Sequence, residues 1–79
     1  MYLNIGQNSL LREDEIVGVF DMDKATESRR TRAFLAAAER EGRIINAAAD
    51  IPRAFVLMRD GRVYLSSIAP ATLSGRTVF

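Results

Sequence analysis

Residues 26–42 read TESRRTRAFLAAAEREG, and this stretch decides how the rest of the chain is interpreted. Its apolar residues recur every three or four positions, and the period predicts a helix over 26–41 that ends before Gly42. Three consecutive alanines favour a helix and allow close packing on a sheet. Thr26 is the expected cap, with Asp23 as its competitor. The face that would pack on the sheet consists of Thr31, Phe34, Leu35 and Ala38.

Short strand patterns lie on both sides of this helix. Gly18, inside the third of them, indicates a bulge or a close backbone approach, and that strand is expected to bury both faces. Asp60 and Gly61 fit a two-residue hairpin turn in which both positions take positive φ. The predicted strands are 2–5, 9–11, 16–20, 43–47, 55–58 and 63–65.

The last third of the chain adds a second helix signal. Pro70 can start a short helix through Leu73, and Gly75 can end it. The sequence therefore predicts an α/β (α+β) fold, in which a small antiparallel sheet is covered by one main helix plus a short C-terminal helix.

Size and composition indicate one domain over residues 1–79. The chain is 48% hydrophobic and 27% charged, which is typical of a folded globular protein. It has no cysteine, and therefore no disulfide or thiolate metal site. It also lacks an apolar stretch of membrane-spanning length and a recognisable leader, so we expect a cytoplasmic protein without a membrane partner.

Catalysis is not expected, because the chain has neither histidine nor cysteine and only one lysine, Lys24. Ser66 and Ser67 do not lie in a nucleophile elbow. Asp21 and Asp23 are spaced like the start of a calcium loop, but the later positions of that motif do not match. The glycines are isolated, so no phosphate loop is present. We predict no enzyme, no metal and no cofactor.

Charge is divided unevenly along the chain, although the net charge is only +1. Residues 1–23 carry one arginine against five acidic residues, a net charge of −4. Residues 24–79 carry ten basic residues against five acidic ones, a net charge of +5. Such a molecule can attract a polyanion on one side, or attract copies of itself head to tail.

Arginines of the main helix form the most concentrated basic feature. At 100° per residue, Arg29, Arg32 and Arg40 fall within about 80° of one another on the side opposite the apolar face. No acidic residue lies three or four positions from Arg29 or Arg32. The interpretations that remain open are a surface that binds an anionic partner, a solvated charged face, and a face whose arginines pair with the acidic residues 13–15.

Several stretches together resemble the small bacterial extracellular matrix regulators, the RemA and RemB group, and this chain is more similar to the RemB branch. The resemblance covers nearly the whole length. The stretches are YLNIG at 2–6, IVGVFD at 16–21, residues 28–35, DIPRAFV at 50–56 and VYLSSIAPATL at 63–73.

This resemblance implies a compact subunit that assembles into a homo-oligomeric ring and, for the RemA branch, a DNA-binding activator of matrix genes. The chain departs from that branch, because Asp50, Ile51 and Glu15 stand where RemA-like members carry basic residues. The alternative is a ring-forming protein-interaction module that does not bind DNA. If double-stranded DNA is the partner, the predicted contacts are Arg29, Arg30, Arg32, Arg53, Arg40 and Arg76.

Overall fold

The computed structural model describes residues 2–7 and 9–76, with only the backbone for residues 74–76. The α+β class is confirmed. In chain order the elements are β1 Tyr2–Asn4, β2 Leu10–Arg12, a 3-10 turn Glu13–Glu15, β3 Ile16–Asp21, α1 Met22–Ala25, α2 Arg29–Arg40, β4 Ile44–Asn46, β5 Ala54–Met58, β6 Val63–Ser66 and α3 Pro70–Arg76.

The described strands form two sheets. β1 and β2 make an antiparallel pair, and the larger sheet has the order β3-β5-β6-β4. β3 and β6 are both antiparallel to β5, whereas β4 is parallel to β6. The prediction of an antiparallel sheet is therefore wrong for that one pair. β6 lies between β4 and β5, so these two strands, which are consecutive in the chain, do not form a hairpin, and β4 runs in the same direction as β6.

The larger sheet is covered on both faces. On one face α2 packs through Ala38, Phe34 and Leu35 against Phe55 and Val63. On the other face the β1–β2 pair and α3 cover the alternate residues of β5, and the side chains gathered there are Leu3, Ile5, Leu11, Ile16, Ala54, Val56, Met58 and Leu73. The result is a three-layer arrangement with an apolar core on each side of the sheet.

β3 is an edge strand with the predicted bulge. Its register with β5 shifts between Ile16 and Gly18. The expectation that both faces of β3 would be buried is wrong, because Val17 at the bulge is 57% exposed. An added Cβ on Gly18 would lie only 2.9 Å from Cζ of Phe20, and the Phe20 ring in turn stacks on Phe55.

The predicted helix over 26–41 corresponds to α2, which begins later, at Arg29, and α1, which precedes it, was not predicted. The Asp21 carboxylate accepts hydrogen bonds from the Asp23 and Lys24 N–H groups at 2.9 and 3.1 Å, and so caps α1. Ser28 caps α2 by accepting from the Thr31 N–H at 3.4 Å. Neither Thr26 nor Asp23 is therefore the N-cap, since the Thr26 hydroxyl instead donates to the Met22 carbonyl at 2.6 Å.

The ends of three elements test the glycine predictions. Gly42, with φ +71°, follows α2 as expected. The prediction of a two-residue turn with positive φ at Asp60 and Gly61 is wrong, because residues 59–62 join β5 to β6 and only Gly61 among them has positive φ. The Gly61 N–H donates to the Met58 carbonyl at 3.0 Å within this loop. α3 continues through Gly75 to Arg76, so the prediction that Gly75 ends it is wrong. Leu73, which is fully buried, anchors α3 on the sheet.

Candidate nucleic-acid interface

The junction of α1 and α2 brings basic residues to one end of the sheet. The Met22 N–H donates to the Arg53 carbonyl at 3.0 Å, so α1 begins beside the residue that precedes β5. α1 has four residues, which span about 6 Å, and α2 follows after a short turn. Exposed arginines gather at this end, which we call the α1–α2 end: Arg29, Arg30, Arg32 and Arg53.

Arg32 holds the two helices together. Its Nη1 donates to the carbonyl oxygens of Thr26 and Glu27, at 2.6 and 3.1 Å, where α1 ends. A guanidinium at these carbonyls satisfies groups that the short helix leaves without partners. The bonds do not neutralise the charge, because both acceptors are uncharged main-chain oxygens. Arg32 is therefore both a structural clamp and a surface cation.

Four other arginines of the predicted set, Arg29, Arg30, Arg40 and Arg53, form no ion pair in the described part of the chain. The ion pairs found there join Arg12 to Asp14, Arg43 to Glu41 and Arg62 to Asp60. None of them includes Arg29, Arg30, Arg40 or Arg53. The interpretation in which residues 13–15 neutralise the helix within one subunit is therefore wrong for this structure.

One member of the predicted set, Arg40, is not brought to this end. Arg40 lies eleven residues from Arg29, about 16 Å along the helix axis. It is next to the hairpin end of the sheet, where Arg43 Nη1 donates to the Gly61 carbonyl at 2.6 Å. For Arg76, the side chain lies outside the described residues. The helical period placed Arg40 on the correct face but could not show its distance from Arg53.

Arg30 and Arg32 lie on opposite flanks of α2. Arg30 borders an apolar cavity of about 250 Å³ lined by Phe20, Phe34 and Phe55. Arg32 borders a larger groove of about 580 Å³ on the other flank. The exposed stripe between these flanks contains Arg29.

The charge separation seen in the sequence is weaker in space. The β5–β6 hairpin returns Arg59 and Arg62 to the acidic turn, where the Arg59 N–H donates to the Glu15 carbonyl at 2.8 Å. At the α1–α2 end, the acidic residues Asp21 and Asp23 accompany the arginines. The basic character of that end therefore comes from exposed guanidinium groups near one another more than from a net dipole.

Ser66, one of the two serines considered as nucleophiles, has a structural role. Ser66 is fully buried, and its hydroxyl donates to the Ile5 carbonyl at 2.7 Å and accepts from the Ile68 N–H at 3.1 Å. No basic side chain forms a hydrogen bond with it within the described ranges.

The described ranges contain no cluster of potential metal ligands. No described helix is long and apolar enough to cross a membrane.

Sequence reasoning missed the apolar groove beside α2 and the exposure of Ile51. The groove is lined by Met22, Leu35, Ile44 and Leu65, which come from four separate elements. Ile51 is 76% exposed, and it lies between Asp50 and Pro52 in the loop that joins β4 to β5. An isoleucine among turn residues was the available signal for the second feature, whereas the groove had no local signal.

The family model described as "RemA-like: Extracellular matrix regulatory protein A-like" matches residues 2–77. The chain belongs to the RemA-like family. The match extends from the first residue of β1 past the end of α3, so it includes both the α1–α2 end and the groove. No curated protein matches the chain significantly. The RemA-like family is named for regulation of the extracellular matrix and is not a known enzyme family.

Proposed function

We propose that this RemA-like chain is a ring-forming bacterial regulator that binds the DNA backbone through arginines and controls transcription of extracellular-matrix genes. The observation that supports the proposal is the gathering of exposed arginines without acidic partners at the α1–α2 end. Arg29 and Arg53 are the principal contacts, Arg30 contributes from the flank, and Arg32 adds charge while it holds the helices.

Arginine suits this role because its planar guanidinium donates two parallel hydrogen bonds to a phosphate and stays charged at all physiological pH values. Each phosphate contact adds about 0.9 to the slope of log K against log salt. At 0.15 M salt, counterion release makes such a contact worth about fivefold in affinity. A single subunit with a few contacts therefore binds weakly, and a ring that repeats them multiplies the effect.

Sequence selectivity in this proposal comes from the DNA and not from base-reading side chains. Phosphate contacts set position but do not distinguish bases. The spacing of identical subunits selects DNA whose curvature brings successive phosphates into reach. Glu15, Asp50 and Ile51, which replace basic residues of the RemA pattern, support a place in the RemB branch and move the contact surface towards α2.

The test compares two double variants with the same change in net charge. R29A/R53A removes two cations from the α1–α2 end, whereas R40A/R59A removes two exposed cations near the hairpin end. Arg32 is left in place because its loss would also release α1. We expect R29A/R53A to lower the salt slope by about 2 for each subunit that contacts duplex DNA. R40A/R59A should bind as the wild type does.

Fluorescence anisotropy with a promoter duplex, measured from 50 to 300 mM salt, gives these slopes. Native mass spectrometry at the same protein concentrations shows whether each variant keeps the wild-type assembly. Equal losses for the two double variants would contradict the assignment to the α1–α2 end. Absence of wild-type binding at 50 mM salt would contradict DNA binding altogether.

A protein-interaction module is the second candidate, and one observation favours it. Ile51, 76% exposed, lies in the loop that leads to Arg53. An apolar side chain near an arginine is a common composition of protein-binding hot spots. In this case the ring would have no DNA affinity, and R29A/R53A would change the size of the assembly or the capture of an acidic protein.

A further inference from the structure

Two apolar surfaces of the subunit have no partner within the described residues. The first, which we call the α2 groove, is the 580 Å³ depression lined by Met22, Leu35, Ala36, Ile44 and Leu65, with Arg32 and Glu39 at its rim. The second, which we call the β1–β2 face, is the outer side of the small sheet and presents Tyr2 and Leu10, 63% and 60% exposed.

The register of β1 and β2 makes Tyr2 and Leu10 neighbours. Tyr2 pairs with Arg12 and Asn4 pairs with Leu10, so Tyr2 and Leu10 are diagonal partners on one face. Leu3 and Leu11 alternate with them and are buried against the larger sheet. An aromatic ring and a branched aliphatic side chain therefore project together away from the core.

The two surfaces lie in opposite layers of the subunit. Leu35 belongs to the α2 layer, while Leu3 and Leu11 hold the β1–β2 pair on the far side of the larger sheet. One chain cannot bring its own two surfaces together without unfolding. Contact between them requires two copies, and it leaves one surface of each kind free at the ends of the pair. Such a contact repeats until a ring closes.

The charged residues beside the two surfaces favour contact of the β1–β2 face of one copy with the α2 groove of another. Asp14 already pairs with Arg12, but Glu13 and Glu15 form no ion pair in the part of the chain that the structure describes. Glu15 borders the same depression as Leu10, so it flanks the β1–β2 face, where the Arg12 of that face is already paired with Asp14. The α2 groove has Arg32 and Glu39 at its rim, and Arg29 does not line it. Docking with Glu15 on the Arg32 side would bring a carboxylate towards a guanidinium and leave Arg29 exposed for DNA.

We propose that the β1–β2 face of one copy inserts into the α2 groove of the next, with Leu10 near Ala36, and that this head-to-tail contact builds the ring. The inference rests on the ring assembly proposed above. It adds which surfaces meet and in which direction the subunits follow one another.

Cysteine cross-linking tests the contact directly, since the chain contains no cysteine of its own. Chains carrying L10C and A36C, mixed and oxidised, should give a disulfide-linked dimer containing one copy of each. A33C is the matched control for A36C, because Ala33 is an exposed alanine of the same helix that does not line the groove. The double variant L10C/A36C should give a ladder of covalent oligomers that ends at the wild-type assembly size. Cross-linking that is equally efficient with A33C would overturn the proposal.

Charge insertion gives an independent test in solution. A36E places a carboxylate in the groove opposite the acidic flank of the β1–β2 face, and L10D removes the apolar anchor. Each should weaken association at least tenfold by analytical ultracentrifugation. A33E and I51D add the same charges outside both surfaces and should assemble normally. Circular dichroism confirms that each variant is folded.

The possible outcomes distinguish failure of the proposed contact from failure of the ring. If wild-type protein assembles, and A36E and L10D assemble equally well, the ring stands and the proposed contact is wrong. If wild-type protein is monomeric at 100 μM, the ring and the contact both fail. Loss of assembly in A36E and L10D alone supports the contact.

Discussion

Ser66, the last residue of β6, binds the main chain at Ile5, which follows β1. Its replacement by alanine should destabilise the fold strongly. Its hydroxyl donates to the Ile5 carbonyl at 2.7 Å and accepts from the Ile68 N–H at 3.1 Å. Ser66 and Ile5 are both fully buried, so water cannot replace the lost bond to the carbonyl. The S66A variant leaves two main-chain groups without this partner.

The magnitude follows from the burial of each group. A buried polar group that loses its partner costs about 1–3 kcal/mol, and the Ile68 N–H, which is less buried, falls at the lower end of that range. We therefore expect a loss of about 2–4 kcal/mol. A chain of this size has a total stability of roughly 4–12 kcal/mol, so the loss is a large fraction. The melting temperature should fall by about 10 °C or more.

Urea denaturation of wild type, S66A and S67A provides the assay. Ser67 is a half-buried neighbour whose side chain makes no hydrogen bond within the described ranges, so S67A should stay within about 0.5 kcal/mol of wild type. The measurements need several protein concentrations, because assembly adds to apparent stability. A S66A variant as stable as S67A would refute the reasoning.

Three further predictions concern local structure. D21A removes the cap of α1 and should cost about 1 kcal/mol in urea denaturation, whereas D23A, which removes no cap, should cost less. G18A should cost about 1–3 kcal/mol in wild type but less in an F20A background, and a double-mutant cycle without such coupling would contradict the close approach at Gly18. The pKa of Asp60 lies below its ordinary value of about 3.8, first because the Arg62 N–H donates to the carboxylate and second because the Arg62 guanidinium pairs with it. The stabilisation is therefore complete above the ordinary value and is lost as pH falls through the lowered one. An NMR titration of R62A should show only a partial return, since the N–H of residue 62 remains.

Local patterns predicted the elements well, and non-local contacts determined what the sequence could not show. The helical period located α2 and its apolar face, and the Asp60-Gly61 pair located the hairpin. The short helix α1 and the start of α2 at Arg29 were not predicted, because Asp21 and Ser28 supply the caps that had been assigned to Thr26 or Asp23. The parallel pairing of β4 with β6 depends on strand insertion, which no window of sequence contains.

Part of the candidate site was also predictable from local sequence, and part of it depends on non-local contacts. Helical geometry grouped Arg29 with Arg32 on an exposed stripe, and the absence of acids at helical spacing agrees with the ion pairs of the structure. The position of Arg53 beside α1 depends on strand pairing. The bonds from Arg32 to the end of α1 involve main-chain oxygens, which a comparison of side-chain charges does not consider.

The insertion of β6 between β4 and β5 has a consequence for biosynthesis. β4 pairs with β6 alone, through Val63, Tyr64 and Leu65. During translation, β4 and β5 emerge from the ribosome before the strand that joins them exists. The nascent chain therefore cannot close its sheet until β6 has emerged, and its apolar strands stay open to chaperones until then.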